Sequence, residues 1–349
     1  MKLDDFELAD RMEYYKVPGV SITIINQGQI SDCINQGILD VRSKREVKRD
    51  SLFNACSVSK FLTGMLVIKL IQQGKLELDE NVNEKLITWK ISENNFTYKK
   101  SVTLRNLLSH QSGIKDPIHS FSEFLETKTA PSMVELLEGR TSYLTVPVEV
   151  TYEPETEFHY SDAGYCIIQQ VIEDVTKRQF HQVMKELIFD PLEMDNSLYV
   201  MTRSSISEEK FSCGHNRRGE VVEGNYPIYP YPAASGLWTT SYDIAKLVLE
   251  LMNTLKGKSK IGITSRDAEE LITSPYEKKW AGLGVFLDKS ENELEISSLG
   301  WGTGFQCMMV AFPYLEKGAV IMTNAELGVH QLEGIIGEIY NSLLSRMRE

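Results

Sequence analysis

The sequence predicts an α/β (α+β) protein: an antiparallel sheet with flanking helices, built from both ends of the chain, with a mainly helical lobe inserted between them. Three observations carry this. Two runs rich in Val and Ile surround "NQGQ" in "VPGVSITIINQGQISDCINQGILD", the pattern of an antiparallel hairpin. Strand-like runs return near the C-terminus as "WAGLGVFLD", "LEISSLG", "GFQCMMVAFP" and "KGAVIMTNA". Between them the chain mixes helical stretches with loops and shows few alternating patterns. The expected division is one domain, 1–349, of two lobes: 1–74 with 231–349 forming the α/β lobe, and 75–230 the helical lobe.

Taken in order, residues 3–16 read as an amphipathic helix with Leu8, Met12 and Tyr15 on one side, while Leu3 and Phe6 fall off that stripe. The hairpin follows. Residues 57–73 carry apolar side chains around most of a helical circumference, so this helix is expected to be buried, with Gly74 as its C-terminal cap. "TLRNLLSHQSGI" reads as a short helix closing at Gly113. Residues 163–176 and 180–188 look helical, and "EGNYPIYPYPAASG" is a loop rich in Pro and Tyr. "TTSYDIAKLVLELMNTL" opens with a helix start signal and continues with a periodic apolar face. A last helix is expected at about 330–345.

Composition narrows the function. The net charge of -12 argues against nucleic-acid backbones and against docking on an anionic membrane, and leaves small anionic substrates open. Apolar runs such as "GMLVIKL" fall well short of the roughly 20 residues of a membrane span. The N-terminus shows acidic residues and no apolar leader core, so a cytoplasmic protein is expected. Five scattered cysteines suggest neither a disulfide framework nor zinc, and no pair among the six histidines has metal-ligand spacing. There is no phosphate-binding loop. No cofactor and no metal are expected, and once nucleic acid and membrane are set aside the expected partner is a small-molecule or peptide substrate.

Three stretches carry chemistry. The first is "FNACSVSKFLTG". Ser57 and Lys60 share a helix face at i and i+3, so the amine can reach the hydroxyl. A helix N-terminus favours a developing oxyanion, and burial can bring a lysine toward a useful base. The plain alternative is an N-cap serine and a solvated lysine. The same spacing recurs at Ser112/Lys115 and Ser207/Lys210, but only Ser57 begins a buried helical run. The second stretch is "FHYSDAGYC", where Tyr160 could serve as a phenolic acid or base, or as a core aromatic. The third, "SSLGWGTGF", places glycines where a strand begins, for close approach of a ligand or for a turn.

Together Ser57-x-x-Lys60, Tyr160-x-Asp162 and Ser298-Leu299-Gly300 resemble the motif set of the serine β-lactamase and penicillin-binding-protein superfamily, in its class C β-lactamase, D-peptidase and esterase branch. "VPGVSITIINQGQI", "LRNLLSHQSGI", "YSDAGY", "AASGLWTTSYDIAKL" and "GWGTGF" extend the likeness from about residue 10 to residue 345. The resemblance implies that superfamily's fold, with the site between the two lobes. It implies that Ser57 is acylated, that Lys60 either takes its proton or holds Tyr160 as phenolate, and that Tyr160 serves the leaving group and later the water. The backbone N–H groups of Ser57 and Trp301 would form the oxyanion hole.

Two positions depart from the family pattern. Asp162 replaces an asparagine; its carboxylate only accepts hydrogen bonds and would raise the pKa of Lys60, which shifts the role of base toward Tyr160. Ser298 replaces a Lys or His, which removes a cation facing a substrate carboxylate. The expected activity is a serine hydrolase acting through an acyl-enzyme on an ester, amide or D-amino-acid peptide, with weak β-lactam turnover. The alternatives are an acyltransferase on the same scaffold and a non-catalytic binding module derived from it. A hydrolase built on Cys56 and a histidine lacks a recognisable motif.

Overall fold

The computed structural model describes residues 7–123, 130–289 and 293–347. Among these residues nine strands follow in chain order: β1 (Gly19–Asn26), β2 (Gln29–Gly37), β3 (Phe53–Asn54), β4 (Leu198–Tyr199), β5 (Leu237–Thr239), β6 (Phe286–Asp288), β7 (Glu295–Gly302), β8 (Phe305–Phe312) and β9 (Lys317–Thr323). Six of them form one antiparallel sheet in the order β2-β1-β9-β8-β7-β6. The N-terminal hairpin and the C-terminal meander therefore share a sheet, joined where Ile22 of β1 faces Ile321 of β9.

The inner strands are buried on both faces because both faces are covered; on β1 the face toward the second helix layer carries Ser21 and Thr23, whose hydroxyls bond Ser241. On the outer face, Leu8 and Met12 of helix Leu8–Tyr15 and Ile335, Ile339 and Leu343 of helix Ile335–Met347 pack over Ile22, Val310 and Ile321. Arg11 ties the two helices together through Glu338 at 2.6 Å. The inner face meets helices Ser59–Gln72 and Ser241–Leu255. Every residue from 59 to 68 is buried, as an all-round apolar helix requires. Gly64 lies so close to its neighbours that a Cβ there would stand 2.7 Å from the Leu283 carbonyl oxygen.

Several elements differ from the sequence expectation. Ser57 lies in a short 3₁₀ turn, Cys56–Val58, ahead of the α-helix rather than in its first turn. The helix of "TLRNLL" ends at Leu108, and Gly113, at φ +84°, serves a later turn where any Cβ would strike the Tyr152 carbonyl oxygen. The helix starting at Phe180 passes at Met184 into a π-turn, Lys185–Phe189. Of "WAGLGVFLD" only Phe286–Asp288 is strand. The middle of the chain supplies β4, which joins β3 and β5 in a second, three-stranded sheet. Among the described residues no helix is long and apolar enough to cross a membrane.

Candidate active site

The second sheet leads directly to Ser57. Asn54, at the end of β3, accepts the Cys56 N–H with its side chain at 2.8 Å. Cys56 takes φ +47°, a left-handed conformation that a side-chain-bearing residue adopts only where its surroundings impose it. The Ser59 hydroxyl donates to the Cys56 carbonyl at 2.6 Å and locks the turn. Ser57 then stands at the mouth of the buried helix.

One turn on, the Lys60 ammonium is buried. It donates to Ser57 Oγ at 3.2 Å and to the Ala234 carbonyl at 2.9 Å, and it pairs with Asp162 Oδ1 at 2.5 Å. Burial by itself would push this ammonium down; the Asp162 carboxylate outweighs it and holds the group well above its ordinary value. Lys60 is therefore a cation at rest. Its Nζ sits 4.7 Å from the centre of the Tyr160 ring.

Ser161 caps helix Asp162–Thr176, its hydroxyl accepting from the Gly164 N–H at 3.0 Å. That cap puts Tyr160 just outside the helix and Asp162 at its first residue. The Tyr160 ring is 41% exposed, while its hydroxyl faces Lys60 and Ser57. Burial of that hydroxyl raises its pKa, Lys60 opposes the rise and Asp162 adds to it; the result is a phenol at rest. The ring stacks on His110 at 4.2 Å. His110 accepts the Ser161 N–H on Nδ1 at 3.0 Å, so its own proton resides on Nε2. Burial and then the Lys60 charge push His110 well below the usual histidine range, and it stays neutral.

The third stretch approaches from β7. A Cβ on Gly300 would lie 2.4 Å from the Ala55 carbonyl oxygen, and one on Gly302 would lie 2.5 Å from the Tyr229 hydroxyl and 2.8 Å from Cys56 Sγ. These glycines let the strand backbone lie against the Ala55–Cys56 segment, with Trp301 exposed between them. The Trp301 indole faces the Glu326 carboxyl, whose pKa burial raises and Trp301 partly restores. Ser298 is buried two residues before Gly300, outside the contacts that join Ser57, Lys60, Tyr160 and Asp162. The two other Ser-x-x-Lys pairs separate: Lys115 turns to Glu157 at 4.0 Å and Lys210 to Asp50 at 3.3 Å. Among the described residues no group of His, Cys, Asp or Glu is arranged to hold a metal.

One residue of this region is absent from the sequence reading. Asp116 accepts from Ser161 Oγ at 2.7 Å, from the Asp162 N–H at 2.6 Å and from the Ala163 N–H at 3.3 Å. No local pattern marks it, because its partners lie about 45 residues away in the chain.

Comparison with known proteins gives the family. The β-lactamase family model matches residues 7–334. The chain belongs to the β-lactamase family. Among curated proteins, this family member is 24% identical over 320 residues to protein flp of Staphylococcus aureus, covering 88% of this chain and 60% of flp. It thus spans about 60% of the length of the curated relatives it matches first. It is 27% identical over 188 residues to penicillin-binding protein 4 of Amycolatopsis lactamdurans, covering 54% of this chain and 46% of that one. Its fold is shared with the octameric penicillin-binding protein homologue of Pyrococcus abyssi (TM-score 0.77, 21% identity, 98% of this chain and 76% of that one). It is also shared with D-alanine carboxypeptidase AmpC of Burkholderia cenocepacia (TM-score 0.73, 18% identity, 97% of each chain).

Proposed function

We propose that the protein is a serine hydrolase that forms an acyl-enzyme on Ser57 and releases it to water, with an ester, amide or D-amino-acid peptide as substrate. The observation that carries this reading is the buried Lys60 ammonium, held at once by Ser57 Oγ, the Ala234 carbonyl and Asp162. A solvated lysine beside a capping serine would not be so placed.

With Lys60 cationic, the group that takes the Ser57 proton is Tyr160, a phenol at rest that first loses its own proton to solvent and whose phenolate the ammonium beside it stabilises. Ser57 Oγ bonds to the substrate carbonyl carbon as its proton passes to Tyr160. The carbonyl oxygen becomes an anion in reach of the Ser57 and Trp301 N–H groups. Collapse breaks the bond to the leaving group, which receives the proton from Tyr160. Water then attacks the ester in the same manner and frees Ser57. The pair Lys60–Tyr160 titrates as a unit, so its apparent pKa belongs to both groups.

The substrate side of the cleft favours neutral acyl donors. Ser298 supplies no positive charge, and the Glu326 carboxyl beside Trp301 adds negative charge there. Weak β-lactam turnover follows. A D-alanine carboxypeptidase among the structural neighbours keeps D-peptides in the screen.

Intact mass after exposure to a fluorophosphonate probe and an activated acyl ester tests the reading. A stoichiometric adduct on wild type and none on Ser57→Ala supports it. No adduct on either folded protein would replace it with a binding module that has lost its chemistry. Product analysis with competing amines or alcohols separates hydrolysis from acyl transfer.

A further inference from the structure

Asp116 lies one layer behind the catalytic groups and makes three hydrogen bonds to the start of the helix that carries Asp162. One oxygen accepts from the Ser161 hydroxyl and the Ala163 N–H; the other accepts from the Asp162 N–H at 2.6 Å. A carboxylate at a helix N-terminus meets both free N–H donors and the positive end of the helix dipole. Here it is supplied from a distant loop, while the N-cap position itself is already filled by Ser161. The residues it fixes are the ones whose placement matters. Asp162 reaches Lys60 with its side chain, and Tyr160 directly precedes the Ser161 it grips.

The far side of Asp116 lines a separate cavity of about 350 Å³, together with Lys115, Leu144, Val148, Glu149 and Ala163. The titratable groups around it are Asp162 and the Cys166 thiol on the helix, Lys115 beside it in the chain, and Glu149 across the cavity. Lys115 directs its ammonium to Glu157 and the Tyr152 ring. Among the described residues no ion pair reaches Asp116.

The structure assigns Asp116 as a positioning residue for acylation: its carboxylate holds the start of helix Asp162–Thr176 so that Asp162 meets Lys60 and Tyr160 faces Ser57. This role rests on the acyl-enzyme reading above. It also carries a cost. Burial, and then the charge of Asp162, push Asp116 up to about 6 despite its three donors. A carboxyl whose pKa is raised on folding binds its proton more tightly when folded, so its ionisation lowers stability as pH rises from the ordinary aspartate value through about 6. At neutral pH Asp116 is ionised, engaged and destabilising. An amide of the same shape would avoid that cost and lose one acceptor, because its NH₂ must face either the Asp162 N–H or the Ser161 hydroxyl.

The test compares wild type with Asp116→Asn, measuring the rate of fluorophosphonate labelling of Ser57 from pH 5 to 9 and the Tm at each pH. The expected result has two parts. At neutral pH labelling slows by about tenfold while Tm holds or rises. Below about pH 6 the wild-type rate falls with one additional proton, and the variant lacks that break. Equal rates and equal pH dependence would overturn the assignment. So would a slower variant whose Tm falls at neutral pH, since that is the mark of a purely structural cap. If wild type itself takes no label, the acyl-enzyme reading fails and this role with it. Should Asp116→Asn not fold, Asp116→Ser carries the same comparison.

Discussion

The carboxylate of Asp162 lies 2.5 Å from the ammonium of Lys60, and that ammonium is in turn 3.2 Å from the hydroxyl of Ser57. The pair keeps a buried lysine charged, where burial alone would tend to neutralise it. A charged lysine cannot be the resting base, and this sets the pH behaviour of the site.

Asp162→Asn is the direct check on that behaviour. Asp162 raises both Lys60 and Tyr160, the first by attraction to its cation and the second by repulsion of its anion. Removing the charge lowers both, so the deprotonated pair becomes available at lower pH. The rise of the acylation rate with pH shifts to lower pH in the variant. A profile that overlays wild type would contradict Tyr160 as principal base.

Lys60→Met removes the cation and leaves Asp162 facing an apolar side chain. Breaking such a pair costs about 3 kcal/mol, and losing the ammonium that stabilises the Tyr160 phenolate costs about 10²–10⁴ in rate. Denaturant unfolding and probe labelling read the two losses separately. Full activity in this variant would remove Lys60 from the mechanism.

Gly300→Ala tests the approach of β7. The new methyl group would press on the Ala55 carbonyl oxygen and on Cys307 Sγ, which itself donates to that carbonyl at 3.0 Å. The strand must move away from the Cys56–Val58 turn, with a stability loss of about 1–3 kcal/mol for overpacking. Because Trp301 follows directly, labelling of Ser57 slows by more than the stability loss explains. A variant with altered Tm and unchanged labelling would separate Trp301 from the oxyanion hole.

Ser298→His restores a donor that can carry charge. A charge-assisted hydrogen bond contributes about 1.5–3 kcal/mol, so the preference for carboxylate-bearing over neutral acyl donors rises by about tenfold or more at pH 6. The measurement is the ratio of kcat/KM for a matched pair of esters with and without a carboxylate. An unchanged ratio would mean that Ser298 does not face the substrate.

The sheet was readable from the sequence because its strands carry their own patterns: Val and Ile alternating with Ser and Thr in β1, and apolar runs in β8 and β9. The approach of β7 to the Ser57 segment was readable only as a glycine pattern, and Gly300 and Gly302 proved to serve strand packing rather than a turn. The 3₁₀ turn at Ser57 was hidden because side-chain hydrogen bonds set it: Asn54 and Ser59 hold Cys56 left-handed, a conformation no propensity predicts. β4 escaped notice since a two-residue strand has no period. Asp116 and the His110 stack depend on contacts between segments about 50 residues apart, which local spacing does not encode.

The pairing of β1 with β9 also governs how the molecule comes into being. Ile22 must wait for Ile321, some 299 positions later, before its strand is covered on that side. At about 5–20 residues per second on the ribosome, the hairpin offers an unpaired edge for roughly 15–60 seconds. Ser57 emerges early and Trp301 late, so a truncated chain would display the hydroxyl without the strand meant to lie against it. Emergence of β9 is thus the step that closes the sheet on that side.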